Sequence, residues 1–337
     1  MKINKAELLT ALEAVKPALT TTEVVEQSTA FAFMQDRVVT FNDEISISYP
    51  INIGFSGAIK ADELYRLLNK IKTEEVNLKI TENQMIVKSG KATAKLILQH
   101  EIKMPIQEIN EINKWQKLPE DFLQALKFVI GSAGTDSNKP ILTCIHITNE
   151  FIESSDGFRI SQYSFVKKAK IKNKLLIPVT SAQTIAMMQP VAIALTDGWA
   201  HFKTSSESVL SCRIYEGEYP DTTAFFKLTD SREINFPKDI YEIIDRAAIF
   251  SKGKVWLDEM VSISLSDNKI KIKGANDYGE FEEWTSIHYD YDAFEFHITP
   301  FLLKDIIKQQ NVCEINDIKI LFTLENSKYV AQLRHQQ

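Results

Sequence analysis

The chain has 337 residues, enough for two or three domains. It is 44% hydrophobic and 25% charged, the balance of an ordinary soluble globular protein, and no apolar run approaches the ~20 residues of a membrane span. A formal net charge of −6 speaks against a strongly basic nucleic-acid-binding surface. Cys144, Cys212 and Cys313 are odd in number and sit in separate apolar settings, which fits buried thiols in a reducing compartment. The opening MKINKAELL lacks the apolar core of a signal peptide, so a cytoplasmic location is expected.

The first predicted element is an amphipathic helix from Asn4 (NKAELLTALEAVKPAL), with Leu8, Leu12, Val15 and Leu19 at helical spacing. Strands follow over 30–54 (AFAFMQDRVVTFNDEISISYPI at their start). Then come a second helix, ADELYRLLNKI, and further strands, EVNLKITENQMIVKSGKATAKLIL, in which Val76, Leu78 and Ile80 alternate with polar residues.

The same order then returns. A helix from Pro119 (PEDFLQALKFVIGSAG) precedes strands in 145–166, the helix TSAQTIAMM and the strands VAIALTDGWAHFKTSSESVLSCRI. A helix from Pro237 (PKDIYEIIDRAAIFSKG), with Ile240, Ile244, Ala247 and Ala248 on one face, precedes strands in 261–287, the helix TPFLLKDIIKQQ and the strands IKILFTLENSKYVAQL. Pro119 and Pro237 suit a first helical turn, and Thr180 and Thr299 suit N-caps. Each first strand block carries a small polar stop with an aspartate: Asn42-Asp43, Ser155-Asp156 and Asn276-Asp277.

A unit recurring every ~110–120 residues is a domain and not a solenoid repeat. The expected division is 1–115, 116–230 and 231–337, with short linkers at 101–118 and 216–233. Strands joined in hairpins, with two helices per unit, indicate an α+β fold of three similar domains with antiparallel sheets.

Enzyme signatures are missing. There is no phosphate loop, no G-x-G-x-x-G, no H-E-x-x-H, no G-x-S-x-G elbow and no cysteine pair at zinc spacing. His288, Asp290, Asp292, Glu295 and His297 form a metal-like cluster. Their alternation with Tyr289, Tyr291, Phe294 and Phe296 fits strand residues better, so no metal or other cofactor is expected. Asp43, Asp156 and Asp277 fit turn-capping residues, one per domain, and not a carboxylate triad.

Several segments in family order carry a resemblance. SSDGFRISQYSF (154–165) resembles the T-D-G-x-R-L strand signature of the bacterial DNA sliding clamp, the β subunit of the replicative polymerase III. KPILTCIHI (139–147), LLIPVTSAQTIAMM (175–188) and RIYEGEYPD (213–221) resemble its P-I-L-x-G-V, I-V-P-x-K-x-x-x-E-L and L-x-x-G-x-F/Y-P-D stretches. DRAAIFS (245–251) is similar to its R-A-A-x-L-S helix end, and VKSGKATAKL (87–96) to its V-R-S-G-x-x-x-F-x-L strand.

The resemblance implies a processivity factor and not an enzyme. Two subunits would join head to tail in a ring that encircles duplex DNA, slides without reading sequence and tethers DNA polymerase. A clamp loader would be a further partner, and no membrane role is implied. It implies DNA-facing cations among Arg66, Lys70, Lys72, Lys127, Arg246, Lys252, Lys254, Lys304 and Lys308. It implies a client-peptide pocket of Ile141, Ser155, Gly157, Phe158, Arg159 and Ile160 with Pro220 and Phe225, closed by Leu333 and Arg334. A dimer interface would pair Ile249 and Phe250 with Ala94 and Leu96 of a second copy.

Two departures suggest a divergent member, carried by a phage or plasmid. The C-terminal YVAQLRHQQ lacks the family's apolar-Pro-apolar-Arg ending, and TTTEVVEQSTAF replaces its Arg-x-x-x-P-I-L loop. The alternative is a repeat-built structural or adaptor protein with no DNA role.

Overall fold

The computed structural model describes residues 1–23, 25–104, 112, 114–171, 174–253 and 258–334. One order of elements occurs three times. The first repeat contains β1 (Lys2–Asn4), α1 (Lys5–Val15), β2 (Ala30–Met34), β3 (Arg37–Phe41), β4 (Ile45–Pro50), β5 (Ser56–Lys60), α2 (Ala61–Lys70), β6 (Glu75–Ile80), β7 (Gln84–Ser89) and β8 (Ala92–Ile97). The second contains β9 (Gln116–Lys117), α3 (Phe122–Ile130), β10 (Cys144–Ile147), β11 (Phe151–Ser155), β12 (Arg159–Ser164), β13 (Leu175–Pro178), α4 (Val179–Met188), β14 (Ala192–Thr196), β15 (Trp199–Lys203) and β16 (Val209–Arg213). The third contains β17 (Arg232–Asn235), α5 (Ile240–Ile249), β18 (Val261–Ser266), β19 (Lys269–Asn276), β20 (Gly279–Ser286), β21 (Phe294–Ile298), α6 (Pro300–Ile307), β22 (Val312–Ile315), β23 (Lys319–Thr323) and β24 (Ser327–Gln332).

Each repeat builds two four-stranded antiparallel groups. The first strand block gives the orders β5-β2-β3-β4, β13-β10-β11-β12 and β21-β18-β19-β20. The later block, with the leading strand at its edge, gives β1-β6-β7-β8, β9-β14-β15-β16 and β17-β22-β23-β24. Two joints fuse groups of successive repeats into eight-stranded sheets: β4 pairs with β16 through Ser46↔Ser211, and β12 with β24 through Ile160↔Val330.

The chain therefore condenses by sheet and not by repeat. One compact unit holds 1–123 and 177–216, and the other holds 124–176 and 217–337. Among the described residues, β8 and β20 close their four-stranded sheets with one edge unpaired.

Local chemistry sets the ends of the helices. Asn4 caps α1, its Oδ1 accepting from the Ala6 and Glu7 amides at 2.8 and 3.2 Å. The predicted run to Leu19 stops at Val15 and gives way to a 3₁₀ turn, Lys16–Ala18, because Pro17 has no amide to continue the ladder. Pro119 and Pro237 lie ahead of their helices and not in the first turn; their carbonyls accept from Phe122 and Ile240 at 3.1 and 3.2 Å.

Thr180 is inside α4, whose N-cap is Pro178, and its hydroxyl donates to Glu44. Thr299 is the N-cap of α6 but makes no side-chain cap bond. The buried faces follow the helical period: Leu8, Ala11, Leu12 and Val15 on α1, and Ile240, Ile243, Ile244 and Ala247 on α5. Gly274 lets β19 pass under α5, since a Cβ there would meet the Ala247 carbonyl.

The hairpin stops cap by one mechanism. Asn42 Oδ1 accepts from Glu44 and Ile45, Asp156 Oδ1 from Phe158 and Arg159, and Asn276 Oδ1 from Tyr278. The positions equivalent to Asp156 are therefore Asn42 and Asn276, one residue before the aspartates that the sequence suggests.

Candidate functional site

Within the second unit, the turn between β11 and β12 opens a cavity of about 320 Å³. Asp156 caps the turn, and Gly157 takes φ 92°, a left-handed conformation that a side chain would strain. The Ser155 hydroxyl donates to the Arg159 carbonyl at 2.8 Å and accepts from the Gly157 amide at 3.0 Å. The turn is thus fixed before any ligand arrives.

The floor is apolar. Ile160 and Val330 face each other across the β12–β24 joint and form a buried cluster with Leu321, flanked by Phe226 and Leu228. Pro220, Asp221, Thr222 and Phe225 contribute one continuous stretch of wall, and Leu142, Phe158, Ile318, Lys319 and Gln332 complete the lining. Phe225 is 52% exposed and Ile318 58% exposed, so large apolar side chains at the rim face water. An apolar cavity with a few fixed polar groups suits capture of apolar side chains from a short peptide.

Arg159 is 7% exposed and fully engaged. Its Nε donates to Asp156 at 3.0 Å, one terminal nitrogen to Asp305, and the other to the Gly131 carbonyl. Its guanidinium lies 4.6 Å from the Phe301 ring centre. Arg159 therefore braces the cavity and does not present a free charge. A neighbouring cavity of about 410 Å³ shares Leu142, Phe158 and Arg159 and continues along Gly134, Asp136 and Lys139. The first unit has a cavity of about 340 Å³ where Lys16, Lys60 and threonine hydroxyls surround Phe31 and Tyr65, a more polar mouth.

Ser155, Gly157, Phe158, Arg159, Ile160, Pro220 and Phe225 thus come together around one space. Ile141, Leu333 and Arg334 do not line it. Leu142 stands there in place of Ile141, both within the short 3₁₀ turn Pro140–Thr143. Leu333 is 3% exposed in the core of the second unit, and the Arg334 amide donates to the His297 carbonyl. Leu142, Asp221, Thr222, Ile318, Lys319, Val330 and Gln332 were missed. The alternation of Val330 and Gln332 against Ala331 and Leu333 along the last strand is the one signal that could have found two of them.

The cations tied to DNA by the resemblance fall into two sets. Arg66 pairs with Asp62 at 3.1 Å, Arg246 takes both oxygens of Glu283 at 2.9 and 2.8 Å, and Lys304 pairs with Asp245. Lys308 lies 3.7 Å from the Tyr241 ring centre. Lys70, Lys72, Lys127 and Lys252 are exposed, and Lys254 lies outside the described residues.

On the unpaired edges, Ala94 and Leu96 are half-buried on β8, and Ile97 is 76% exposed. Phe250, after α5, stacks on Phe281 of β20 at 6.2 Å beside the exposed Ile249. Lys91 and Lys95 are exposed at β8, whereas Glu280, Glu282 and Glu283 on β20 pair with Lys273, Lys271 and Arg246 of the same chain.

The metal-like cluster is dispersed. His288 pairs with Asp290 at 3.1 Å on the surface, His297 bonds the Ser262 hydroxyl at 2.8 Å, and no group of three metal-ligating side chains occurs among the described residues. Among those residues no helix is long and apolar enough to cross a membrane.

No protein-family model matches the chain, and no curated relative does. Solved structures do. The chain is similar to the DNA polymerase III β subunit, a sliding clamp, of Pseudomonas aeruginosa bound to griselimycin, with TM-score 0.86 and 14% identity over 100% of this chain and 99% of that one. It is similar to the DNA polymerase sliding clamp of Bacillus subtilis, with TM-score 0.86 and 17% identity over 100% and 99%. The DNA polymerase III β chain of Streptococcus pneumoniae gives 0.86 and 18% over 99% of both. The chain has the bacterial sliding-clamp fold from end to end.

Proposed function

We propose that this protein is a DNA polymerase processivity factor. Two copies join head to tail in a ring that encircles duplex DNA, slides along it and holds a polymerase through the cavity beside Arg159. The observation that carries this reading is the pair of unpaired edges. Inside the chain, the third strand of a hairpin block pairs with the last strand of the following repeat, once as β4 with β16 and once as β12 with β24. β20 is the third strand of the third repeat and β8 the last strand of the first, and neither has that partner. A second copy placed head to tail supplies both joints at once and leaves no heterologous surface open, which is the condition for a closed ring.

The full-length similarity to sliding clamps supports the reading, as does the modest charge of the helices. A ring holds DNA by enclosure and needs only weak, sequence-independent phosphate contacts, which free Lys70, Lys72, Lys127 and Lys252 would supply. The repeats would be domains over 1–115, 116–230 and 231–337. A clamp loader would place the ring on DNA in the cytoplasm.

Two measurements test the proposal. Light scattering should give twice 38.4 kDa, and protein loaded on closed circular DNA should be released when the circle is cut. A monomer that is never retained on circles would point to a structural or adaptor role.

A further inference from the structure

The cavity wall carrying Pro220, Thr222 and Phe225 hangs on a buried acid that does not itself line the cavity. Glu153 on β11 is 2% exposed. Its Oε2 accepts from the Thr222 hydroxyl at 2.6 Å and from Gln162 Nε2 at 3.0 Å, and its Oε1 is 2.8 Å from His146 Nδ1. The His146 ring in turn stacks on Tyr219 at 4.9 Å and 21°, so the acid and the imidazole grip the segment from Tyr219 to Thr222 from beneath.

The chain then enters the 3₁₀ turn Thr223–Phe226, started by the Phe225 amide donating to the Thr222 carbonyl at 3.0 Å. Its far end is tied as well: Lys319 Nζ donates to the carbonyls of Ala224 and Phe225 at 3.3 and 2.8 Å.

The fold does not require this acid. Hairpin register makes Ala32, Val39 and Ser48 of the first repeat equivalent to His146, Glu153 and Gln162, and Ser262, Lys273 and Glu282 equivalent in the third. The same strand positions thus work with an apolar residue at the centre, or with a half-buried lysine paired with Glu280. Burying a carboxylate is costly unless its hydrogen bonds are met, so a buried acid in only one of three equivalent hairpins calls for a local role. The hairpin that has it is the one beneath the cavity.

We propose that Glu153 is a positioning residue for peptide capture: through the Thr222 hydroxyl it sets the 3₁₀ turn, and with it the exposed Phe225 ring at the rim. The inference rests on reading the cavity as a peptide pocket. Thr222→Val removes the anchoring hydroxyl at constant shape, Thr222→Ser restores it, and Glu153→Gln keeps an acceptor oxygen for it.

The test uses the full chain and a fluorescein-labelled peptide carrying an adjacent Leu-Phe pair, with amide exchange at Phe225 and Lys227 as a second reading. Thr222→Val should weaken binding about tenfold and speed exchange at both amides, while Thr222→Ser and Glu153→Gln recover most of the affinity. Unchanged affinity and exchange in Thr222→Val, or equal losses in Thr222→Val and Thr222→Ser, would overturn the positioning role while leaving the pocket standing. No binding by the unaltered protein would overturn the pocket reading and this inference with it.

Discussion

Arg159 on β12 pairs with Asp305 on α6, 146 residues further along the chain, while its Nε holds Asp156 in its own turn. One guanidinium thus ties the cavity mouth of the second repeat to a helix of the third. Asp305 is half exposed, but Asp156 is largely buried, and removing Arg159 would leave its charge uncompensated, at a cost of up to about 3–5 kcal/mol. Arg159→Ala should lower the urea midpoint of the protein accordingly and abolish peptide binding. Arg159→Lys should recover only part of the stability, because an ammonium cannot serve Asp156, Asp305 and the Gly131 carbonyl in one plane. Equal urea midpoints for all three proteins would refute the bracing role.

Phe250 stacks on Phe281 at an unpaired edge, and Ile97 stands exposed at the other. Phe250→Asp should give monomers in sedimentation, with a helical circular-dichroism spectrum retained. Ile97 is 76% exposed, so Ile97→Glu spares the buried core; it would set a carboxylate in the proposed joint with β20 and should weaken the dimer. A full-strength dimer in both variants would contradict the head-to-tail joint.

Three candidate DNA-facing cations are neutralised by neighbours on the chain: Arg66 by Asp62, Arg246 by Glu283 and Lys304 by Asp245. Binding to linear duplex should therefore be weak and shallow in its salt dependence. Glu283→Gln and Asp245→Asn together free two cations and should steepen the log–log salt slope by about 2. An unchanged slope would mean that Arg246 and Lys304 do not face DNA.

His201 is fully buried, with its nitrogens on the Thr196 and Ser211 hydroxyls at 2.8 and 2.7 Å, and burial pushes its pKa down to about 4. The folded protein keeps the ring neutral, whereas the unfolded chain takes up a proton below its ordinary pKa of about 6.5. The stability owed to the neutral ring is thus present above pH ~6.5 and lost as pH falls toward 4, at up to about 1.4 kcal/mol per unit. Urea midpoints measured between pH 7 and 4 should fall in the unaltered protein and fall less steeply in His201→Gln.

The hairpins were legible in the sequence because they are made locally. Alternation of side chains along Val76–Ile80, helical spacing from Leu8 to Val15, and a small polar stop before each return strand all act within a few residues. Those short-range rules gave the threefold α+β plan and the turn around Asp156. They could not give the joints, because Ser46↔Ser211 and Ile160↔Val330 match strands well over a hundred residues apart, and nothing local distinguishes one strand edge from another.

The cavity divides the same way. Its turn lies in one continuous stretch, SSDGFRI, and was found. Lys319, Val330 and Gln332 arrive only when the third repeat's last strands dock on β12. That docking also turns Leu333 into the core, since side chains alternate along a strand and Val330 and Gln332 already occupy the cavity side. The buried Glu153 was silent in the sequence because a carboxylate in a strand reads as solvent-facing; only tertiary packing brings Thr222 and His146 close enough to satisfy it.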